Sequence, residues 1–286
     1  MSNVRIYNMD CREAIKRIDD HSIDLVLTSP PYATTPHISP ERGRVLKDSN
    51  AKGYPWLRYD VYMDNLTNEQ FVEWQEKLFN DIDRILKPNG SILYNISYSA
   101  NNTTGWIDTV HGIVHNTPFT MADKIVWKKK AALPNNHSHV QLTRICEDVF
   151  VFCRKCETKT FHTNKKIVSY IETGQANYEN IFAFIEAENN DGSQDLNKAT
   201  FSTSFAEQLL RIYARLPKTG GGVVFDPFIG TGTTACACRG LGIDCIGAEI
   251  SQAQCDYAYK RLGGGDDLFT TVEIVRTDPN LSTENR

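Results

Sequence analysis

The chain has 286 residues, with 31 Lys and Arg against 35 Asp and Glu, a formal net charge of −4 and a 41% hydrophobic content. Such a composition excludes disorder of the whole chain and a nucleic-acid binder that works by bulk positive charge. It fits one large domain, or one domain with a sizeable insertion. No apolar run exceeds five residues, so no transmembrane helix is expected, and the first residues lack the apolar stretch of a secretory signal.

In chain order, residues 4–7 read as a short strand and 12–18 as an amphipathic helix. Residues 23–27 form an apolar run that stops at Pro30-Pro31, as a buried parallel strand would. Residues 33–60 hold Gly, Pro, Ser and charges without periodicity and read as a long loop. Thr67 with Gln70 predicts a capped helix carrying Phe71, Trp74, Leu78, Ile82 and Ile85 on one face. Lys87-Pro88-Asn89-Gly90 ends it, and 91–96 is the next strand, so this is a strand–helix–strand unit of a parallel sheet. Strands follow at 124–127 and 148–153. Residues 154–200 turn polar and read as an insertion. A helix is predicted over 205–216, a strand at 222–225, a helix start at 233–239, a strand at 245–249 and a capped helix at 251–262. Gly263–Gly265 and the polar end read as a flexible tail.

The eight cysteines lack small-scaffold spacing and read as reduced thiols. Cys153 and Cys156 lie near His162, but no second Cys pair follows at finger spacing, and no carboxylate accompanies His137 and His139 at ligand spacing. No metal is assigned.

Two segments carry chemistry. The first is Asp226-Pro-Phe228-Ile-Gly230-Thr-Gly232-Thr233, between a strand and a helix, with Glu249 at the end of the following strand. Glycines let the backbone turn and a ligand approach, the helix start offers free N–H groups, and a carboxylate can accept both hydroxyl protons of a ribose. A nucleoside-containing cofactor follows from that pattern. It fits a dinucleotide fingerprint, fails as a phosphate loop for want of Lys-Ser/Thr, and competes with a tight turn that binds nothing. The second is Thr28-Ser29-Pro30-Pro31-Tyr32. Two prolines fix the Pro30 carbonyl, Ser29 adds a second acceptor for an exocyclic amino group, and Tyr32 offers a flat face for a base. The alternative is a Pro-rich turn that merely ends a strand.

Taken together, Ser29-Pro30-Pro31-Tyr32 and Asp226-Pro-Phe-Ile-Gly-Thr-Gly-Thr-Thr resemble the signature pair of the S-adenosylmethionine-dependent amino DNA methyltransferases. The tetrapeptide precedes the cofactor loop by about two hundred residues, which is similar to the permuted β class. Ser at position 29 resembles the N4-cytosine enzymes; adenine-N6 enzymes mostly carry Asp or Asn there. The segments 8–11 and 84–90 add to the likeness. So does 198–202, which departs from the family pattern at Asn197 and Ser202.

The resemblance implies an α/β, Rossmann-like, seven-stranded and mostly parallel sheet with helices on both faces, in permuted order, plus a small variable insertion. It divides the chain into a catalytic half (1–153, with a DNA-contacting loop at 33–60), a variable target-recognition region (154–197), a cofactor-binding half (198–262) and a C-terminal tail (263–286). It implies methyl transfer from S-adenosyl-L-methionine to cytosine N4 in duplex DNA by base flipping, within a restriction–modification system. Adenine N6 is the alternative on the same scaffold, and an NAD-dependent oxidoreductase is the alternative of another class. Protein glutamine methyltransferases, which use Asn-Pro-Pro-Tyr, have the opposite segment order. Ser29, Pro30, Pro31 and Tyr32 would be catalytic. Asp10 and Cys11 would sit at the adenine, Glu249 at the ribose, Phe228, Gly230 and Gly232 around the methionine, and Asp226 and Thr233 at its polar end. Thr200 and Phe201 would close the pocket.

Implied DNA contact needs local positive charge. Residues 124–166 hold ten Lys and Arg against three acids, a balance of +7. Lys128, Lys129, Lys130 and Arg144 there, with Arg42, Arg44 and Arg58 in the long loop, are the expected phosphate contacts. Expected partners are double-stranded DNA and no membrane, with a separate cognate endonuclease and a homodimer left open. The expected location is the cytoplasm, at the nucleoid through DNA.

Overall fold

The computed structural model describes residues 2–31, 66–98, 102–132, 134, 136, 139–140, 142–192, 200–264 and 270–276. The elements run β1 (Ser2–Asn8), α1 (Cys11–Ile15), β2 (Ile23–Thr28), α2 (Asn68–Ile85), β3 (Leu86–Ile96), α3 (Gly105–Asn116), β4 (Phe119–Lys129) and β5 (Cys146–Arg154). Then come β6 (Ile167–Tyr170), β7 (Ala176–Tyr178), β8 (Phe184–Ala187), α4 (Thr203–Tyr213), β9 (Val223–Asp226), α5 (Thr233–Leu241), β10 (Asp244–Ala248), α6 (Gln252–Arg261) and β11 (Thr270–Arg276). Among the described residues no helix is long and apolar enough to cross a membrane.

All seven expected strands belong to one sheet, in the order β11-β1-β10-β9-β2-β3-β5-β4-β8. Within this sheet, among the described residues, only β5 runs against its neighbours, β3 and β4, and every other pairing is parallel. The sheet therefore has nine strands among the described residues, two more than expected. β8 comes from the 154–197 region and extends the sheet beside β4. β11 comes from 263–286, the stretch read as a tail, and pairs with β1 from Ser2↔Thr270 to Asn8↔Arg276. Its alternating burial, Thr270 and Val272 in and Thr271 and Glu273 out, is the period-two pattern of a strand with one covered face. Within the insert, residues 167–178 form a small β6–β7 hairpin.

Strand periodicity divides the core in two. Along β5, Val149 and Val151 enter one apolar layer, while Phe150 and Phe152 enter the other. The first layer takes Phe205 and Leu209 of α4, Ala235 and Cys238 of α5, and Cys255 and Ala258 of α6. The second takes Ile15 of α1, Phe71, Leu78 and Ile82 of α2, and Ile113 of α3. Helices thus cover both faces of a mostly parallel sheet, the expected α/β architecture. Aromatics stiffen each layer: Trp127 stacks on Phe205 at 4.2 Å, and Phe79 meets Tyr94, Phe119 and Phe152 edge-on at 5.3–5.8 Å.

Local signals set the helix ends. Thr67 Oγ1 accepts from Gln70 N, and the Gln70 side chain returns to Thr67 N at 2.9 Å, a complete capping box. Helix α2 stops at Ile85, and β3 begins directly at Leu86, earlier than the expected 91, with a register irregularity between Ile23 and Leu25 on β2. Asn89, at φ 61°, supplies the local left-handed turn. Helix α3 has no counterpart among the elements expected from the sequence. Its Gly105, Gly112 and β-branched residues carry weak helix propensity, and packing against α2 overrides it.

Candidate active site

Strands β2 and β9 are neighbours, pairing Leu25↔Val224 and Val26↔Phe225. Their carboxyl ends bring the proline corner and the glycine corner together. Thr28 Oγ1, one residue before Ser29, donates to Asp226 Oδ1 at 2.8 Å. Asp226 is 2% exposed and also accepts from Thr234 Oγ1 (2.5 Å) and from the Phe228 amide (3.0 Å). Burial pushes its carboxyl up to about 6, against the three donors that favour the anion. Ser29 and Pro31 are half-buried and Pro30 is buried. Tyr32, together with Arg42, Arg44, Arg58 and the whole 33–60 loop, lies outside the described residues.

The glycine corner is built on positive φ angles, 52° at Gly230 and 83° at Gly232. A Cβ at Gly232 would stand 2.8 Å from the Ala258 Cβ, so α6 packs against bare backbone there. Glu249, at the end of β10, ties the loop down. Its Oε2 accepts from the Gly230 amide at 3.1 Å and its Oε1 from the Ser251 amide at 2.8 Å. A carboxylate accepts and does not donate, the chemistry a pair of ribose hydroxyls requires. Next along the edge, Asp10 caps α1 by accepting from Arg12 N at 2.9 Å, and Cys11 is buried beneath it, its thiol pushed up by burial. Asn8, part of the 8–11 segment but given no role of its own by the sequence, donates to the backbone carbonyls of Glu249 (3.0 Å) and Ile250 (3.2 Å) and fixes the β1 and β10 ends together. Phe228 packs against Trp74 of α2 at 5.5 Å. Asp10, Cys11, Glu249, the glycine loop, Asp226 and Ser29–Pro31 therefore line one edge of four adjacent strands, β1-β10-β9-β2.

Thr200 and Phe201 precede α4. Phe201 is 7% exposed and meets Phe205 edge-on at 5.7 Å. The hydroxyl oxygens of Thr200 and Thr231 are buried and meet no hydrogen-bond partner among the described residues. Buried polar atoms rarely stay unmatched in a finished site, and these two sit in the segments expected to enclose a cofactor. The donor set fits a group that carries hydroxyls at one end and a charged head at the other.

The basic residues are arranged differently from the expectation along the chain. Lys128 pairs with Glu186 at 2.7 Å, Lys130 with Glu188 at 2.8 Å, and Lys129 with Glu147. Two of those carboxylates arrive from β8 or its end, so the +7 counted over 124–166 is offset across the sheet by residues outside that window. Arg144 donates to the Tyr98 carbonyl and lies over its ring at 4.7 Å. Among the described residues no group of three or more His, Cys, Asp or Glu could hold a metal.

A doubly wound sheet whose one reversed strand is β5, with a glycine loop and a proline corner side by side at its carboxyl edge, defines a class I methyltransferase fold. The DNA methylase family model (N6_N4_Mtase) matches residues 23–260, and the chain belongs to that family. Type II methyltransferase M.HinfI of Haemophilus influenzae is 28% identical over 258 residues, covering 88% of this chain and 66% of the relative. Type II methyltransferase M.BglII of Bacillus subtilis is 26% identical, covering 98% and 72%. Among solved structures, the PvuII DNA methyltransferase (cytosine-N4-specific) matches with a TM-score of 0.62 at 16% identity, over 96% of this chain and 95% of that one. The M1.HpyAVI–SAM complex matches with a TM-score of 0.55 at 20% identity, over 91% and 99%. These likenesses share the fold.

Proposed function

We propose that this chain transfers a methyl group from S-adenosyl-L-methionine to the exocyclic N4 amino group of cytosine in duplex DNA, as the modification activity of a restriction–modification system. The observation that carries the reading is the Thr28–Asp226 hydrogen bond, which joins the base-handling corner to the cofactor loop at adjacent strand ends. When bound, the cofactor supplies an electrophilic sulfonium methyl.

The chain's residues do the rest. Glu249 takes the ribose hydroxyls, and Asp10 with Cys11 borders the adenine. Phe228, Gly230 and Gly232 shape the methionine side, with Asp226 and Thr233 at its polar end and Thr200 and Phe201 as the cover. The cytosine amino nitrogen is a poor nucleophile because its lone pair is conjugated with the ring. Ser29 Oγ and the Pro30 carbonyl accept hydrogen bonds from its two N–H groups and favour a pyramidal nitrogen whose lone pair is free to attack, one amino proton passing to solvent after the transfer. That is catalysis by position and electrostatics, without a strong base before attack. The base must leave the duplex, and Tyr32 supplies an aromatic face for it. Ser29, where an acid would suit an adenine enzyme, favours cytosine. Lys128, Lys129, Lys130 and Arg144, with Arg42, Arg44 and Arg58, would meet phosphates, and 154–197 would read the target sequence.

Tritium transfer from labelled cofactor to DNA, followed by nucleoside analysis, tests the proposal. The expected product is N4-methylcytosine, lost in Ser29→Ala and reduced in Tyr32→Ala. N6-methyladenine as the product would overturn the base assignment, and cofactor binding without transfer to any DNA would overturn the activity.

A further inference from the structure

We propose that Arg261 is a positioning residue that turns the Thr233 hydroxyl into a donor for the carboxylate end of the cofactor, an inference that rests on the methyltransferase reading above. Arg261 closes α6, and its side chain is 17% exposed. Its Nη1 donates to Thr233 Oγ1 at 3.0 Å and to the Thr231 carbonyl at 3.4 Å. A guanidinium has N–H donors and no acceptor, so Thr233 Oγ1 must accept. The hydroxyl's own proton is thereby sent elsewhere. Thr233 is 5% exposed, and that proton meets no acceptor among the described residues.

Thr203 shows the contrast. Its hydroxyl also accepts from Arg261, at 3.0 Å, but passes its proton to Asp191 Oδ2 at 2.5 Å. Asp191 receives the second arm of the guanidinium and two bonds from the Thr203 amide, at 2.9 and 3.0 Å. The fork is thus anchored at the Asp191–Thr203 side and aimed at the Thr231–Thr233 side. One of two otherwise similar threonines is left with a donor to spend.

An anionic acceptor suits that donor. Thr233 opens the nine-residue helix α5, whose first N–H groups and dipole favour negative charge. Arg261 turns one arm of its Asp191-balanced guanidinium towards it, and Thr231 Oγ1, without a hydrogen-bond partner among the described residues, is a second hydroxyl in the same loop. Glu249, on the other side of the loop, repels an anion and suits hydroxyls instead. The one anionic group of S-adenosylmethionine is its amino-acid carboxylate, so the polarity of the loop fixes which way the cofactor lies.

Titration calorimetry of the full chain with S-adenosylhomocysteine and with 5′-methylthioadenosine tests this. The second ligand keeps the adenosine and the sulfur and lacks the amino acid. Arg261→Gln and the near-isosteric Thr233→Val are each expected to weaken S-adenosylhomocysteine about tenfold, the loss of one charge-assisted contact. Binding of 5′-methylthioadenosine should change less than about twofold. Asp191→Asn, which loosens the anchor, should shift the ratio the same way. Equal weakening of both ligands in Thr233→Val, or no change in either, would overturn the proposal. Failure of the wild-type chain to bind S-adenosylhomocysteine would instead overturn the methyltransferase reading beneath it.

Discussion

Replacing Asp226 by Asn should flatten the dependence of stability on pH. The Asp226 carboxyl is 2% exposed, and burial lifts it from 3.8 to about 6. A carboxyl raised in the fold stabilises it when protonated. Its contribution is fully present below the unfolded-chain value near 4 and is lost as pH rises through about 6. A rise of that size corresponds to about 3 kcal/mol between the two ends of the range. Asn is suited to the site. Its carbonyl can keep the bonds from Thr28 Oγ1 and the Phe228 amide, and its amide can face Thr234 Oγ1, whose hydroxyl turns from donor to acceptor. Urea unfolding of both proteins from about pH 4.5 to 8 gives the comparison. The wild type should lose stability relative to Asp226→Asn across that range by about 2 kcal/mol, most of it below about pH 6 and the rest of the total lying below about pH 4.5. Parallel curves would refute the argument that desolvation outweighs the three hydrogen bonds.

Thr28→Val removes the bond that joins the two corners; it should cost about 1 kcal/mol of stability and lower kcat much more than cofactor affinity, read by steady-state kinetics beside calorimetry. Gly232→Ala places a Cβ 2.8 Å from Ala258 at a φ of 83°, so cofactor binding should fall sharply and unfolding should become easier by more than about 1 kcal/mol. Lys128→Glu with Lys130→Glu should weaken DNA binding and flatten its salt dependence; an unchanged salt slope would show that Glu186 and Glu188 already consume those charges.

Local pattern was enough for much of this protein. The Thr67–Gln70 capping box, the apolar run before Ser29, the glycine loop opening α5 and the Ser251 cap of α6 are each set by residues within a few positions of one another, so they are legible along the chain. The seven expected strands were legible for the same reason. The Gly, Asn and polar content of the last segment hid β11, because a strand of period-two burial at a sheet edge needs its neighbour, β1, to be recognised. Helix α3 was hidden by weak propensity that contact with α2 overrides.

What the order of residues determined by itself was the chemical vocabulary: a rigid carbonyl and hydroxyl beside a tyrosine, a turn that only glycine permits, and an acid after the next strand. What the tertiary structure decided was which of these meet. Thr28 and Asp226 lie 198 positions apart and touch only because β2 pairs with β9. Lys128 and Lys130 owe their partners to β8, and the Thr233 proton owes its direction to Arg261 at the far end of α6. Strand pairing and ion pairing act through space, and hydrogen-bond polarity depends on which donors surround a hydroxyl, so neither leaves a periodic trace in the chain that encodes it.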